Sequence, residues 1–240
     1  MWYTSFHLVS PKPPYRYYYL RHYATSADGL NWNRPALGIE EYEGNKDTNI
    51  LKAISQSSVI FKDEADEPSR RYKTAGTAGT KNGYALKTFY SPNGVHWTEH
   101  PGPFDTARGD EVASFMYDPV SKKYIVFTRN YYPRPHFEPR TTRYILRAQS
   151  NDLVNWSMST PILSPDHLDP PDTDFYAMDG MFYESMYIGF LTVHHNVPDT
   201  LDTYLAYSRD GFNWERFREK PLLPLGPPGS WDSGMVGMGT

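Results

Sequence analysis

The chain has 240 residues, a formal net charge of −4 and no cysteine, and 16% of its residues are aromatic. These values exclude disulfides and thiolate metal sites, and the sequence has no clustered basic segment of the kind that binds nucleic acid. No apolar run approaches the roughly 20 residues that cross a bilayer, so we expect neither a nucleic-acid partner nor a membrane partner.

The two ends of the chain both have the composition of strands. Residues 1–6 lack the basic and apolar regions of a signal peptide. Residues 231–236 have the pattern of a strand that is just beginning. We therefore expect a chain cut from a longer protein at both ends, and the sequence does not decide its cellular location.

One seven-residue pattern occurs four times, and each copy ends in a tryptophan. The copies read S-A-D-G-L-N-W, S-P-N-G-V-H-W, S-N-D-L-V-N-W and S-R-D-G-F-N-W, and their tryptophans lie 65, 59 and 58 residues apart. A spacing of this kind indicates a repeated supersecondary unit. The Asp or Asn can hydrogen-bond the backbone two residues on, and Gly allows positive φ, so the pattern predicts a turn rather than a catalytic group.

Three short apolar or aromatic runs precede each of the last three tryptophans, and turn residues bound every run. This composition is typical of strands, and 21 prolines argue against helices. The predicted strands are 57–62, 72–78 and 84–90, then 112–117, 123–128 and 143–149, then 175–183, 186–193 and 203–207.

Three strands followed by a tryptophan-bearing outer strand make a four-stranded antiparallel blade, and such blades repeated radially make a β-propeller. The sequence therefore predicts an all-β fold, an incomplete five-bladed propeller in which the first blade lacks its innermost strand. We expect one domain over residues 1–240. Its predicted blades are 1–35, 50–100, 110–160 and 172–220, with the start of a fifth at 229–240.

The four turns, the hairpin Y-D-P-V-S-K-K-Y at residues 117–124 and the segment G-S-W-D-S-G at 229–234 resemble the five-bladed β-propeller glycoside hydrolases of families 32, 43, 62, 68, 117 and 130. The resemblance implies an active site in a funnel on the propeller axis, where the innermost strands begin. It also implies three carboxylates: a base or nucleophile on the first blade, an acid that tunes a pKa or stabilises the transition state, and a general acid.

Carboxylates precede three successive inner strands in the predicted blades. Asp110 and Glu111 precede the third blade's inner strand, Asp172 and Asp174 precede the fourth, and Asp232 precedes the fifth. We expect these groups to meet across the axis. For any one of them, a role as a cap or turn residue is the alternative, and Glu111 alternates with its neighbour and can face the adjacent blade.

The resemblance gives Asp110 the tuning or stabilising role and places Asp172 or Asp174 where the general acid stands. The chain departs there from the family 43 pattern, which has Glu. Glu184 is an alternative acid, but it falls in a turn. The first-blade acid has no counterpart, and the position before the second blade's inner strand is the neutral Asn49.

Other side chains are candidates for substrate contact, each beside a structural alternative. The pair His194–His195 lacks metal-ligand spacing, so a polar contact with substrate is preferred to metal binding. Arg129 can clamp a substrate carboxylate or pair with an acid. The rings of Tyr176 and Trp231 can stack on a sugar or pack in the core.

Segment 130–143 is a predicted long loop that rims the funnel or makes a surface excursion. The sequence thus supports a glycosidase acting on oligo- or polysaccharide by acid–base catalysis, with a non-catalytic carbohydrate-binding propeller or a glycoside phosphorylase as alternatives. A protein-binding propeller is a further alternative, which solvated and widely separated acids would favour. We expect no cofactor and no metal ligands, although some resembling proteins carry a calcium ion on the axis.

Overall fold

The computed structural model describes residues 1–10, 12, 16–54, 57–81, 83–102, 111–133 and 141–237. Its named elements are fourteen strands and one short 3₁₀ turn at Lys52–Ile54, so the all-β prediction is confirmed. Within these ranges no helix is long and apolar enough to cross a membrane.

The strands form one two-stranded sheet and three four-stranded antiparallel sheets. The first sheet contains β1 (Trp2–Ser10) and β2 (Arg16–Tyr23). The second contains β3 (Ser57–Lys62), β4 (Tyr72–Thr80), β5 (Gly83–Ser91) and β6 (Thr98–Glu99). The third contains β7 (Glu111–Asp118), β8 (Lys123–Pro133), β9 (Thr141–Ser150) and β10 (Thr160–Leu163). The fourth contains β11 (Thr173–Tyr183), β12 (Met186–His195), β13 (Thr200–Ser208) and β14 (Trp214–Arg216).

Two compact units divide the chain. The first comprises Met1–Gly76 with Phe89–Glu99, and the second comprises Thr77–Thr88 with His100–Thr240. The third and fourth sheets therefore belong entirely to the second unit, and the first sheet belongs to the first. The division into blades and the single domain over residues 1–240 stay predictions.

The four tryptophan turns form as predicted, and local hydrogen bonds explain their residues. In the last copy, Ser208 Oγ accepts from the Gly211 N–H at 2.9 Å, and Asp210 Oδ1 accepts from the Asn213 N–H at 2.8 Å. The indole of Trp214 donates to the Gly211 carbonyl at 3.1 Å, and the equivalent bond recurs in the other three copies. The backbone N–H of Asn213 is the main reason that the pKa of Asp210 is lowered.

Positive φ is required at the fourth position of the tryptophan turn. Gly29, Gly94 and Gly211 adopt φ of 76°, 74° and 74°, and Leu153 adopts 67° at the same place in the third copy. Glycine reaches this region without steric cost, whereas leucine does so at a cost. The side chain of Leu153 is buried, so this residue combines a strained backbone with a packed side chain.

All three innermost strands of the four-stranded sheets are bulged near their beginning. The register shifts once between Ser57 and Ile60 in β3, between Val112 and Ser114 in β7, and between Phe175 and Ala177 in β11. A bulge inserts one residue and re-aims the side chains around it. In β11 the inserted residue is Tyr176.

The segment predicted as a loop over 130–143 is strand at both of its ends, which corrects that expectation there. Residues Asn130 to Tyr132 of β8 pair with residues Tyr144 to Thr142 of β9. Proline can end a strand without costing a central ladder bond, and Pro133 is the last residue of β8. Residues 134–140 lie outside the described part of the chain.

Apolar side chains fill the space between the third and fourth sheets. Phe127 of β8 is fully buried, and its ring lies against Gly180 of β11. The indole of Trp214 meets Phe127 edge-on, with ring centroids 5.8 Å apart. Gly189 of β12 leaves room for the Trp214 ring and for Met178. The two sheets therefore approach closely because glycines stand where rings cross.

A buried polar network ties the third and fourth sheets together at the end where β7 finishes. Asp118 is 1% exposed and accepts hydrogen bonds from the N–H groups of Val120 and Ser121 in the predicted hairpin. Burial alone would raise the pKa of Asp118, but hydrogen bonds from Ser121 and Tyr187 lower it. Burial is the main reason that the pKa of Tyr187 is raised, and it lowers the pKa of Arg147.

We predict that Gly180→Ala destabilises the protein by about 1–3 kcal/mol, the usual cost of overpacking a core. A Cβ at Gly180 would lie 2.4 Å from Phe127 Cε2, so the ring must move. Urea unfolding followed by tryptophan fluorescence measures the change. The matched control is Gly79→Ala, because a Cβ there has no described atom within 4 Å; equal stability of the two variants would contradict the packing assignment.

Candidate functional site

The antiparallel register gathers ionisable residues at one end of the fourth sheet. Thr173 and Asp174, which begin β11, pair with His195 and His194, which end β12. His195 in turn pairs with Thr200 at the beginning of β13. Both predicted histidines and the predicted acid of β11 therefore lie at one end, as expected for inner-strand starts.

Asp174 lies between the two sheets and is bound by Arg143 of β9. Its side chain is 1% exposed, its Oδ2 accepts from Arg143 Nη1 at 2.9 Å, and its Oδ1 accepts from the Arg143 N–H at 3.1 Å. Both carboxylate oxygens are thus engaged by one residue. This residue therefore holds the Asp174 side chain in one orientation.

Tyr176 packs between arginines from the neighbouring sheet. The Arg129 guanidinium lies 4.0 Å from its ring centroid, and that of Arg143 lies 5.3 Å away. Arg129 Nη1 also donates to the Tyr176 carbonyl at 2.9 Å, a carbonyl that belongs to the bulge. Since a guanidinium occupies a face of the ring, Tyr176 is positioned by cation–π contact. Its stacking on a sugar stays a prediction.

The two histidines each contact a carboxylate on the turn or strand that follows. His194 Nε2 lies 3.0 Å from Asp199 Oδ1, and His195 Nε2 lies 2.9 Å from Asp202 Oδ1. The hydrogen bond with Asp202 raises the pKa of His195, although burial acts in the opposite direction. His194 Nδ1 is buried with no hydrogen-bond partner among the described residues, and the ring meets Tyr176 edge-on at 5.9 Å.

Asp172 lies in the turn before β11 and supports the loop after β12. Its Oδ2 accepts from the Val197 N–H at 3.1 Å, and its carbonyl accepts from Asn196 Nδ2 at 2.7 Å. Its charge also favours the protonated form of His195. Asp172 is half-buried, so it is more accessible than Asp174. Asp172 therefore stabilises a turn, which is the structural alternative to a catalytic role for this residue.

The third sheet contributes residues to the same end. Glu111 begins β7 and pairs with Arg129 of β8. Asp110 lies outside the described residues, and the contact of Glu111 with substrate stays a prediction. The role of Asp110 as a tuning or stabilising acid stays a prediction.

The three remaining predicted substrate contacts are Asn49, Trp231 and Asp232. Asn49, in the first unit, bonds His22 and Tyr3 through its side chain. Trp231 is 96% exposed, so core packing does not hold it. Asp232 Oδ1 accepts from Ser230 Oγ at 2.6 Å within a turn, and its function stays a prediction.

Arg143 and Asp202 belong to the site but were not among the predicted residues. The sequence marks Arg143 only as the first residue of a predicted strand. Nothing in the sequence pairs it with Asp174, because the two lie 31 residues apart and on different sheets. Asp202 follows the turn after β12. Its contact with His195 could not be predicted from the sequence, because it depends on the register between β12 and β13.

No group of three or more His, Asp or Glu side chains that could hold a metal ion occurs among the residues described. The calcium ion on the axis, which some resembling proteins carry, therefore has no described ligand set here. Its presence stays untested.

Comparisons with known proteins support the architecture. No protein-family model matches the chain. A stretch of 35 residues is 54% identical to the A type blood N-acetyl-alpha-D-galactosamine deacetylase of Flavonifractor plautii, but it makes up 15% of this chain and 4% of that protein.

Solved structures match over most of the chain at low identity. A glycoside hydrolase matches with a TM-score of 0.63 and 13% identity over 92% of this chain and 70% of its own. A thermostable family-43 glycoside hydrolase matches with a TM-score of 0.57 and 14% identity over 88% and 67%. The chain has an incomplete β-propeller fold. The resemblance to propeller glycoside hydrolases is therefore confirmed at the level of the fold.

We predict that Arg143→Met destabilises the protein by about 2–3 kcal/mol, because Asp174 would stay buried without its partner. Fully buried pairs lose about 3–5 kcal/mol in this way, and the Arg143 side chain is 31% exposed. Chemical unfolding measures the loss. Asp174→Asn should partly restore stability in the double variant, whereas the exposed control Arg209→Met should have little effect.

We predict that the contribution of His195 to stability depends on pH. Its pKa is raised in the folded protein, so its stabilising effect is full below the unfolded value of about 6.5 and is lost as pH rises through the folded value. His195→Gln should therefore cost more stability at about pH 6 than at about pH 9. Urea midpoints at both pH values test this, with the exposed His167→Gln as control; an equal cost at both values would refute the pairing with Asp202.

Proposed function

We propose that the chain is a glycoside-hydrolase-like propeller that acts on an oligo- or polysaccharide. The observation that carries the proposal is the gathering of carboxylates, imidazoles and guanidiniums where the inner strands of the third and fourth sheets begin. This end is where the resembling hydrolases place their active site. The fold match to a glycoside hydrolase over 92% of the chain supports the same reading.

A carbohydrate ligand is also supported by a second structural neighbour. The N-acetylgalactosamine deacetylase from F. plautii, solved with blood group B trisaccharide, matches with a TM-score of 0.58 and 16% identity over 97% of this chain and 72% of its own. Two enzymes with different reactions thus share this fold and act on sugars. Both enzymes recognise carbohydrate, and we propose that this chain does so as well.

Glycoside hydrolysis requires two carboxyl groups with different tasks, one giving a proton and one remaining ionised. Asp174 suits the second task, because Arg143 engages both of its oxygens. Asp172 is the better placed proton donor of the two, since it is half-buried and its contacts to Asn196 and Val197 involve its carbonyl and one oxygen. Asp110 completes the proposed set.

A non-catalytic carbohydrate-binding propeller is the second candidate function. The neutral Asn49 before the second blade's inner strand favours it, because an amide does not serve as an acid or a base. Phosphorolysis would need a free cationic group to hold phosphate. Arg129 already contacts the Tyr176 ring and carbonyl, and Arg134 and Arg140 lie outside the described residues, so phosphorolysis stays an alternative.

We predict hydrolysis of at least one aryl glycoside or oligosaccharide in a screen of the purified chain, and a loss of about 100-fold or more in kcat/KM for Asp172→Asn. Removing a general acid or base typically costs about 10²–10⁴-fold. Asp174→Asn and Asp110→Asn should also lose activity. The matched control is Glu184→Gln, because Glu184 lies in the turn at the opposite end of β11.

Two outcomes separate the candidates. Saturable binding of an oligosaccharide by calorimetry, without turnover in any variant, would favour the binding module. Full turnover in all three Asp variants would show that the assigned carboxylates do not carry the reaction.

A further inference from the structure

A hydrogen-bonded row of side chains lies on one face of the first sheet, far in the sequence from the acids discussed above. Tyr3, Ser5 and His7 alternate along β1 and therefore share a face. The register places Tyr3 opposite His22 and His7 opposite Tyr18. Both imidazoles stack on these tyrosines, with ring centroids 5.0 Å and 5.2 Å apart.

The side-chain amide of Asn49 determines which atom donates and which accepts in each hydrogen bond of this row. Its Nδ2 donates to the Tyr23 carbonyl at 2.7 Å and to the Tyr3 hydroxyl at 3.0 Å. A carbonyl can only accept, so the nitrogen must be the atom that faces Tyr23. Asn49 Oδ1 then faces His22 Nδ1 at 3.1 Å, and this ring nitrogen must carry the proton.

The tautomer of His22 makes Ser5 the donor to its other nitrogen. In neutral His22, Nε2 has a lone pair and no proton, and it lies 2.6 Å from Ser5 Oγ. The single hydroxyl proton of Ser5 therefore points at His22. His7 Nε2, at 2.9 Å from the same oxygen, must donate to it, which leaves His7 Nδ1 to accept from the Tyr42 hydroxyl at 3.3 Å.

We propose that Ser5 is a nucleophile, with His22 as its general base and Asn49 as the group that orients the base, and that it transfers acyl groups from small esters. A hydroxyl hydrogen-bonded to an imidazole whose other nitrogen is held by a third group is the arrangement that activates serine. The substrate class is an ester of a short carboxylic acid, including an O-acyl group on a sugar.

The reaction balances with these groups alone. Ser5 Oγ attacks the ester carbonyl carbon while its proton moves to His22 Nε2, and the C–O bond to the alcohol breaks as His22 returns that proton to the leaving oxygen. Water then attacks the acyl-serine, gives one proton to His22 and releases the acid, and Ser5 recovers its proton. The His7 N–H faces Oγ and holds the serine side chain in place.

Access to the serine is provided by its place on the sheet. Ser5, His7 and His22 are half-buried rather than enclosed.

The test is labelling of the full 240-residue chain with a fluorophosphonate, in which Oγ displaces fluoride from phosphorus. We expect one label per chain, on the peptide that contains Ser5, and parallel hydrolysis of p-nitrophenyl acetate. Ser5→Ala should abolish both, and His22→Gln should slow both by about 100-fold or more. The control Ser10→Ala should label normally, because among the described residues the Ser10 hydroxyl donates to a backbone carbonyl, that of Lys12, and to no imidazole.

Circular dichroism and tryptophan fluorescence must show that each variant is folded. An absent label on the folded wild type, a label on another residue, or an unchanged rate in His22→Gln would each overturn the proposal. Ester hydrolysis and glycoside hydrolysis are measured on separate substrates, and Ser10→Ala should change neither, so failure of this site and failure of the proposed glycosidase are distinguishable.

Discussion

The antiparallel pairing of β11 with β12 is the constraint on which the candidate site depends. A two-residue turn at Glu184 and Ser185, both with positive φ, sets the register. From that turn the ladder runs to the far end, where Asp174 meets His194. A slip of one residue would turn every side chain to the opposite face, and the contact between Asp174 and Arg143 would be lost.

Charges buried between the third and fourth sheets lie at the two ends of an apolar layer. Asp174 with Arg143 occupies one end, and Asp118 with Arg147 and Tyr187 occupies the other. A buried charge is tolerated only when partners compensate for its lost hydration. The two groups therefore specify how the sheets align, while the apolar layer supplies most of the stabilisation. Any catalytic use of Asp174 is coupled to this alignment.

The polar groups of the two units differ in chemistry. In the second unit, carboxylates face arginines or imidazoles, which suits work on a glycosidic bond. In the first unit, Ser5, His22 and Asn49 form a neutral row whose direction follows from one amide. A neutral network of this kind defines which atom carries each proton. The two units thus present different polar arrangements, one of charged pairs and one of uncharged hydrogen-bonding groups.

The sequence by itself determined the strands and turns. Residues 57–62 coincide with β3, the tryptophan turns form with the predicted side-chain to backbone bonds, and Glu184 lies in a turn, because these features depend on neighbouring residues. A loop was predicted over 130–143, but β8 continues to Pro133 and pairs there with β9, and local composition does not reveal such pairing. Only the tertiary structure decided the partners of the site: Arg143 for Asp174, Asp202 for His195 and His22 for Asn49. These residues are separated along the chain, and the register, the bulge at Tyr176 and the packing of sheets bring them together.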